Sequence, residues 1–247
     1  IENFKVGGLA KFGLDCASLA PSNPGLVYSS ITGFGQTGPY APRAGYDFII
    51  QAMGGIMDLT GEPDGEPQKP GMAYSDLMTG LYGVIGIQAA LAQRAITGKG
   101  QHIDMSLFDT QLAVLPNQTN NYLTSGKVPR RMGNAHPNIV PYQVFYASDA
   151  PFVIACGNDH QFEHLCQKLN LTLHTDPRFS KNTNRVTHRE ALIPLLADEM
   201  AKHTRTEMLA LMEAAGVPAG PINTVAEALA DPQAQFRAMV QDHGQTR

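Results

Sequence analysis

The chain has 247 residues, 43% of them hydrophobic and 16% charged, with a formal net charge of −4. That is an ordinary soluble globular composition, long enough for one large domain or two small ones; it excludes a basic nucleic-acid binder, and no apolar run approaches the roughly 20 residues of a membrane span. Cys16, Cys156 and Cys166 are too few, and odd in number, for a disulfide framework, so a reducing, cytoplasmic setting is expected.

The chain begins "IENFKVGG", without Met or a signal-peptide pattern, and stops at "MVQDHGQTR". The expectation is a piece cut from a longer protein at both ends, with its site incomplete. Residues 25–32 read as a buried strand. The loop "GFGQTGP" that follows, with Gly33, Gly35 and Gly38, has the glycine spacing of a dinucleotide-binding turn. Pro39 and Pro42 argue against a long helix opening at Gly38, so the motif lacks its context and no NAD or FAD is expected on it. Tyr46 to about Thr60 has helical spacing, with Gly54 and Gly55 allowing a neighbour to approach. "AYSDLMTGLYGVIGIQAALAQRAITGKG" is the longest helical signal. It is apolar almost all round, which predicts burial, and Gly80, Gly83 and Gly86 predict a close neighbour. "HIDMSLF" alternates as a strand does, and the helix after it is interrupted or bent by Pro116. "YQVFYAS" and "PFVIACG" predict a hairpin, followed by helices near 159–169 and 187–203 and a capping box at Thr224 and Glu227. The reading is an α/β part before residue 125 and a smaller α+β part after it.

Three groups of side chains invite chemistry. "HQFEH", His160 to His164, matches an inverted zinc-peptidase pattern. Phe162, Leu165, Cys166 and Leu169 form the apolar stripe of that helix, which leaves His160, Glu163 and His164 on a solvated face, with Asp159 as N-cap. A zinc hydrolase would need a third ligand, for which Glu190 and Glu199 are guesses, and no metal is expected. Asp76 opens the glycine-rich helix. It is either an N-cap or an ionised, desolvated carboxylate able to attack an activated acyl group, and position alone leaves both open. Arg43, Arg130, Arg131 and Lys69 are single charges. His136 lies in the rigid loop "GNAHPNIVPY", packed or near substrate.

Six segments taken together resemble the class III coenzyme A transferases, the family of formyl-CoA and carnitine-CoA transferases. They are "ENFKVGG", "ITGFGQTGPYAPRAGYDFIIQAMGGIMDLTG", "YSDLMTGLYG", "TGKGQHIDMSLFD", "GNAHPNIVPYQVF" and "GVPAGPINTVAEALADPQ", in family order across nearly the whole chain. Within the family the chain looks most like succinyl-CoA-dependent dicarboxylate transferases. The resemblance implies a Rossmann-like large domain with a smaller α+β domain in an interlocked homodimer, here truncated. Residues 1–124 would be part of the large CoA-binding domain, 125–225 the small domain, and 226–247 a linker returning to the large one. It implies that the "GFGQTGP" loop belongs to the CoA site and that Asp76 is the nucleophile. Asn3, Phe4, Lys11 and Tyr46 fall where members contact CoA. Lys11 stands where Arg is frequent, so it would offer a point charge instead of a fork. Arg43, Arg131 and His136 are candidates for the far carboxylate of a dicarboxylic acid.

The implied reaction is double displacement through aspartyl anhydrides and an aspartyl-CoA thioester, with acyl-CoA and a carboxylic acid as substrates. No tightly bound cofactor, nucleic acid or membrane is implied. The glycine-run loop that some members fold over the aspartate is not visible in this sequence, so the piece by itself is expected to be inactive. The alternative inside the family is an α-methylacyl-CoA racemase; its members carry His where Tyr46 stands, and a tyrosine is a poor base at neutral pH.

Overall fold

The structure is a computed structural model that describes residues 1–241 and 244; the end of the 226–247 stretch therefore lies outside the described residues. The chain forms two compact units, Ile1–Gly133 and Asn134–Arg247. Among the described residues no helix is long and apolar enough to cross a membrane.

The first unit is α/β. After a 3-10 turn at Ala10–Phe12 come α1 (Cys16–Leu19), β1 (Tyr28–Thr32), α2 (Asp47–Met53), α3 (Ile56–Leu59), α4 (Tyr74–Thr97), β2 (His102–Ser106), α5 (Leu107–Ala113) and α6 (Pro116–Ser125). β1 and β2 pair in parallel, from Tyr28 opposite His102 to Thr32 opposite Ser106. Parallel neighbours need a crossover, and α4 supplies it. On the other edge of β1 the start of the chain joins in parallel through Glu2, whose N–H donates to the Ser29 carbonyl (2.8 Å) and whose carbonyl accepts from the Ile31 N–H (2.9 Å). The helix expected over residues 46–60 is two helices. Gly54 and Gly55 break it, and the Gln111 side chain occupies the space a Gly54 side chain would need. Of the interruption or bend expected at Pro116 the structure has the interruption: Pro116 starts a new helix, because proline fits the first helical position, where its missing N–H costs nothing.

The expectation that α4 is buried all round does not hold within this chain. Ser75, Thr79, Gly83 and Ala90 are buried, with Gly83 and Gly86 against Met105 and Ile103 of β2. Leu77, Leu81, Val84 and Ile85 are exposed. The helix has partners in α2, α5, β1 and β2, and these cover only its small-residue face.

The second unit has a three-stranded antiparallel sheet in the order β3 (Tyr142–Tyr146), β4 (Pro151–Ala155), β5 (Ala219–Pro221). The expected hairpin is present, with Tyr146 opposite Pro151. The helices are α7 (Asp159–Lys168), α8 (Asn182–Thr187), α9 (Arg189–Met200), α10 (Arg205–Ala215), α11 (Val225–Ala230) and α12 (Pro232–Phe236), with a 3-10 turn at Leu173–Thr175 before α8. The Thr224 and Glu227 capping box opens α11. Phe145, Phe152, Phe162, Leu165, Leu196 and Met208 are among the core residues.

Arg185 is fully buried inside that core. Its Nε donates to the Val140 carbonyl (2.6 Å), Nη1 to the Phe179 carbonyl (2.9 Å) and Nη2 to Asp159 Oδ1 (2.9 Å), while the guanidinium stacks on Phe162. One planar cation thus ties the start of α7 to two loops. Asp159 is consequently not the N-cap. Asn158 caps α7 by accepting the Gln161 N–H (2.9 Å), and Asp159 is held by Arg185 and Lys181. Burial alone would raise the Asp159 carboxyl, but the hydrogen bond and charge of Arg185 hold it below its ordinary value. A depressed carboxylate contributes stability above its unfolded pKa and loses it as pH falls through the folded one. Arg185→Met is therefore expected to cost the second unit about 3–5 kcal/mol by orphaning its acceptors. Urea titrations should also show a weaker loss of stability on acidification than in the parent protein.

Candidate active site

The glycine loop after β1 shapes backbone. A Cβ on Gly33 would lie 2.5 Å from the Gly45 Cα, so two chain segments touch backbone to backbone there. The Phe108 N–H donates to the Gly33 carbonyl (3.0 Å), and the Gly35 N–H donates to Thr32 Oγ1 (3.0 Å). The Gln36 N–H donates to both carboxylate oxygens of Asp104 on β2 (3.0 and 2.9 Å). Between the end of β1 and Asp47 no helix begins. The loop thus pins residues 41–46 against the end of β1, and no helix N-terminus is presented by its glycines.

Beside that seam, α4 begins. Its N-cap, Ala73, has no side chain to accept a first-turn amide. The acceptor comes from α2: Asp47 Oδ1 accepts the Ser75 N–H (2.8 Å) and the Asp76 N–H (3.3 Å). Asp76 is therefore in the first turn and is not the cap. Its side chain is left to face a cavity of about 700 Å³ whose wall includes Asn3, Phe4, Lys5, Arg43, Tyr46 and Asp76. Asp76 is exposed within this chain, yet its carboxyl is raised above the ordinary value, first by loss of water against the cavity wall and then by the charge of Asp47.

Of the sequence candidates, Asn3, Phe4, Arg43, Tyr46 and Asp76 come together around this one cavity. Phe4 and Tyr46 are 59% and 74% exposed, which leaves two aromatic surfaces at an open site. The Arg43 guanidinium lies 4.3 Å from the Tyr40 ring centre, and among the described residues no carboxylate pairs with it. Lys11 is on the 3-10 turn, 4.8 Å over Phe12, and is not part of the cavity wall. Arg131 is committed to the Asp58 carboxylate (3.0 Å) and to backbone carbonyls of Asp58 and Glu62. His136 belongs to the second unit. Its Nδ1 accepts the Asn138 N–H (3.1 Å), and burial, then nearby Arg189, lowers its pKa. Lys5 was not singled out from the sequence, although it adjoins Asn3 and Phe4 in the same short segment. Asp47 was missed too, since nothing local links it to a helix that starts 27 residues later.

The HQFEH segment has the apolar stripe expected, with Phe162, Leu165 and Cys166 buried. His160 and His164 stack at 4.0 Å between ring centres, His164 Nδ1 lies 3.2 Å from the Ala215 carbonyl oxygen, and Glu163 accepts from Gln167 (3.1 Å). Among the described residues no group of three or more His, Cys, Asp or Glu could hold a metal.

The profile of CoA-transferase family III matches residues 1–247, and the chain belongs to that family. It is 52% identical over 97% of its length to a succinate–glutarate CoA-transferase of Agrobacterium fabrum, spanning 60% of that protein. It is 46% identical over 97% of its length to an acetyl-CoA:oxalate CoA-transferase of Acetobacter aceti, spanning 62% of it. Among solved structures, a CAIB/BAIF family protein from Brucella suis is 62% identical with a TM-score of 0.81, covering 96% of this chain and 63% of that one. The chain thus spans under two thirds of the length of these relatives.

The backbone contact at the seam gives a direct test. Gly33→Ala pushes a methyl group into the Gly45 backbone, which has no flexible end to yield, and is expected to cost about 1–3 kcal/mol. A fluorescence or calorimetric melt unchanged from the parent protein would show that the seam is not under this constraint.

Proposed function

We propose that the protein moves CoA from an acyl-CoA donor to a carboxylic acid, with Asp76 as nucleophile and Asn3, Phe4, Lys5 and Tyr46 around the bound CoA. The observation that carries this reading is a single one: an exposed carboxylate at a helix start, lining the same cavity as Asn3, Phe4 and Tyr46 from the family-like segments. The Asp76 carboxylate attacks the donor thioester, forming a mixed anhydride and releasing CoA thiolate. The thiolate attacks the aspartyl carbonyl, releasing the donor acid and leaving an aspartyl-CoA thioester. The acceptor carboxylate attacks that thioester, giving a second anhydride and thiolate, and the thiolate takes the acceptor's acyl group and restores the carboxylate. No net proton is moved. Orientation can lower such a barrier by about 7–11 kcal/mol, provided water is kept from the anhydrides.

The relatives' names pair succinate with glutarate and acetyl-CoA with oxalate. We take a dicarboxylic acid as the acceptor class, with Arg43 facing its far carboxylate. Tyr46 favours transfer over racemisation, since a phenol is a poor base at neutral pH. The exposed apolar face of α4 supports association into a homodimer. We place the two-domain reading, 1–124 with 125–225 and a return from 226, and the cytoplasm as setting, on the same footing.

Two outcomes are expected with full-length protein. Asp76→Asn should lower transfer on the order of 10⁴-fold or more, because the covalent route has no substitute. Its melting point at neutral pH should not fall, and its advantage should build as pH rises from the ordinary carboxylate range through the raised folded pKa and stay level above it. The carboxyl's raised folded pKa means that folding favours the protonated form, and charging it as pH rises works against the fold. Arg43→Met should raise the KM of a dicarboxylate acceptor about 10–100-fold and leave a monocarboxylate unaffected, as loss of a charged hydrogen bond does. Equal effects on both acceptors would remove Arg43 from the acceptor site.

A further inference from the structure

We infer that Asp47 is a positioning residue for the transfer step, holding the first turn of α4 by the Ser75 and Asp76 amides and so setting a second carboxylate beside the residue that carries the nucleophile. This rests on the reading of Asp76 as nucleophile. The geometry is specific. Asp47 Oδ1 takes the amides of Ser75 and Asp76, and Oδ2 accepts from Gln51 Nε2 (2.6 Å). Gln51 is itself fully buried and also reaches the Met72 carbonyl (3.4 Å), just before the helix. Ser75 Oγ donates to buried Gln111 on α5 (2.7 Å). Polar side chains from α2 and α5 thus fix the backbone on which Asp76 stands.

Capping by itself does not call for a charge in this position. Asn would accept the same amides and caps as well as Asp does, and turning the Gln51 amide would bring its unpartnered Oε1 to the Asn NH2 in place of the present bond to Oδ2. A carboxylate at 47 instead opposes ionisation of the carboxylate at 76, which a merely structural cap would gain nothing by doing. For a nucleophile the opposition has a use, since basicity and nucleophilicity rise together. Other charged groups surround the site. Lys5 and Arg43 line the cavity with the Tyr46 phenol. α4 carries Tyr74, Tyr82 and Arg94, and packed against it are Asp109 on α5, His102 and Asp104 on β2 and Tyr28 on β1. Among them Asp47 is the charge that raises Asp76.

The test is the pH profile of transfer by full-length protein. Asp47→Asn keeps an acceptor for the amides and removes the charge. Its acid limb should move to lower pH and its kcat should fall about tenfold, with the KM for acyl-CoA unchanged. Asp47→Ala should lose at least about 100-fold in kcat, and Asn should rescue part of that. An acid limb that stays in place in Asp47→Asn overturns the inference, whatever happens to stability. If Asp47→Asn does not fold, Asp47→Glu is read instead: kcat should fall with the limb unmoved, and parental kcat overturns the inference. Asp76→Asn run alongside separates the two claims. Transfer surviving in it sinks the nucleophile, whereas an inert Asp76→Asn with an unmoved Asp47→Asn limb sinks only the role of Asp47.

Discussion

The amides at the start of α4 must find acceptors, and the sequence gives that helix no capping side chain of its own. Asp47, from a different helix, meets the requirement. Much of the first unit follows from it. α2 must dock on the start of α4, so the loop before α2 must run along the end of β1, which the Gly33 and Gly45 contact permits. The cavity is what remains between that loop, the start of the chain and α4. Because the cap comes from elsewhere, Asp76 is released from backbone duty and its carboxylate can face the cavity.

The two units solve the problem of buried polarity in different ways. In the first, Gln51, Ser75, Thr79 and Gln111 are buried beneath the site and bonded to one another or to backbone. Such networks favour one arrangement over near alternatives, because each misplaced member leaves an unpaired polar group in a water-poor place. In the second unit a single guanidinium, Arg185, serves two loops and a helix start within an otherwise apolar core. Neither arrangement is needed for a hydrophobic core; each fixes backbone whose position matters.

Periodicity disclosed most of the elements, because the strands and longer helices have regular apolar faces. What it disclosed less well were the places where the partner is distant in sequence. Position alone read Asp76 first as a cap, and the family resemblance made it a candidate nucleophile; the amides it was expected to cap are taken by Asp47. Asp159 resembled a cap because Arg185, which holds it, follows only 26 residues later. The glycine spacing from Gly33 to Gly38 is that of a dinucleotide-binding turn, yet at Gly33 the need for glycine is steric and comes from Gly45, and at Gly35 and Gly38 it is the left-handed backbone. Arg131 and Arg43 were alike as sequence and differ in the fold, one locked to Asp58 and the other lining the cavity. The apolar circumference of α4 was legible, but which side this chain covers was not. The six-segment resemblance carried what periodicity could not, the family.

The central claim is that Asp76 exchanges oxygen with substrate. In the proposed sequence the acceptor acid attacks aspartyl-CoA through one of its own carboxylate oxygens, and that oxygen stays on the aspartate when thiolate takes the acyl group away. The direct measurement is turnover of full-length protein with an acceptor acid labelled with oxygen-18, followed by mass spectrometry of the peptide around Tyr74 to Met78. The account predicts heavy oxygen in the Asp76 carboxylate, accumulating with turnover. Complete transfer with no label there would contradict it.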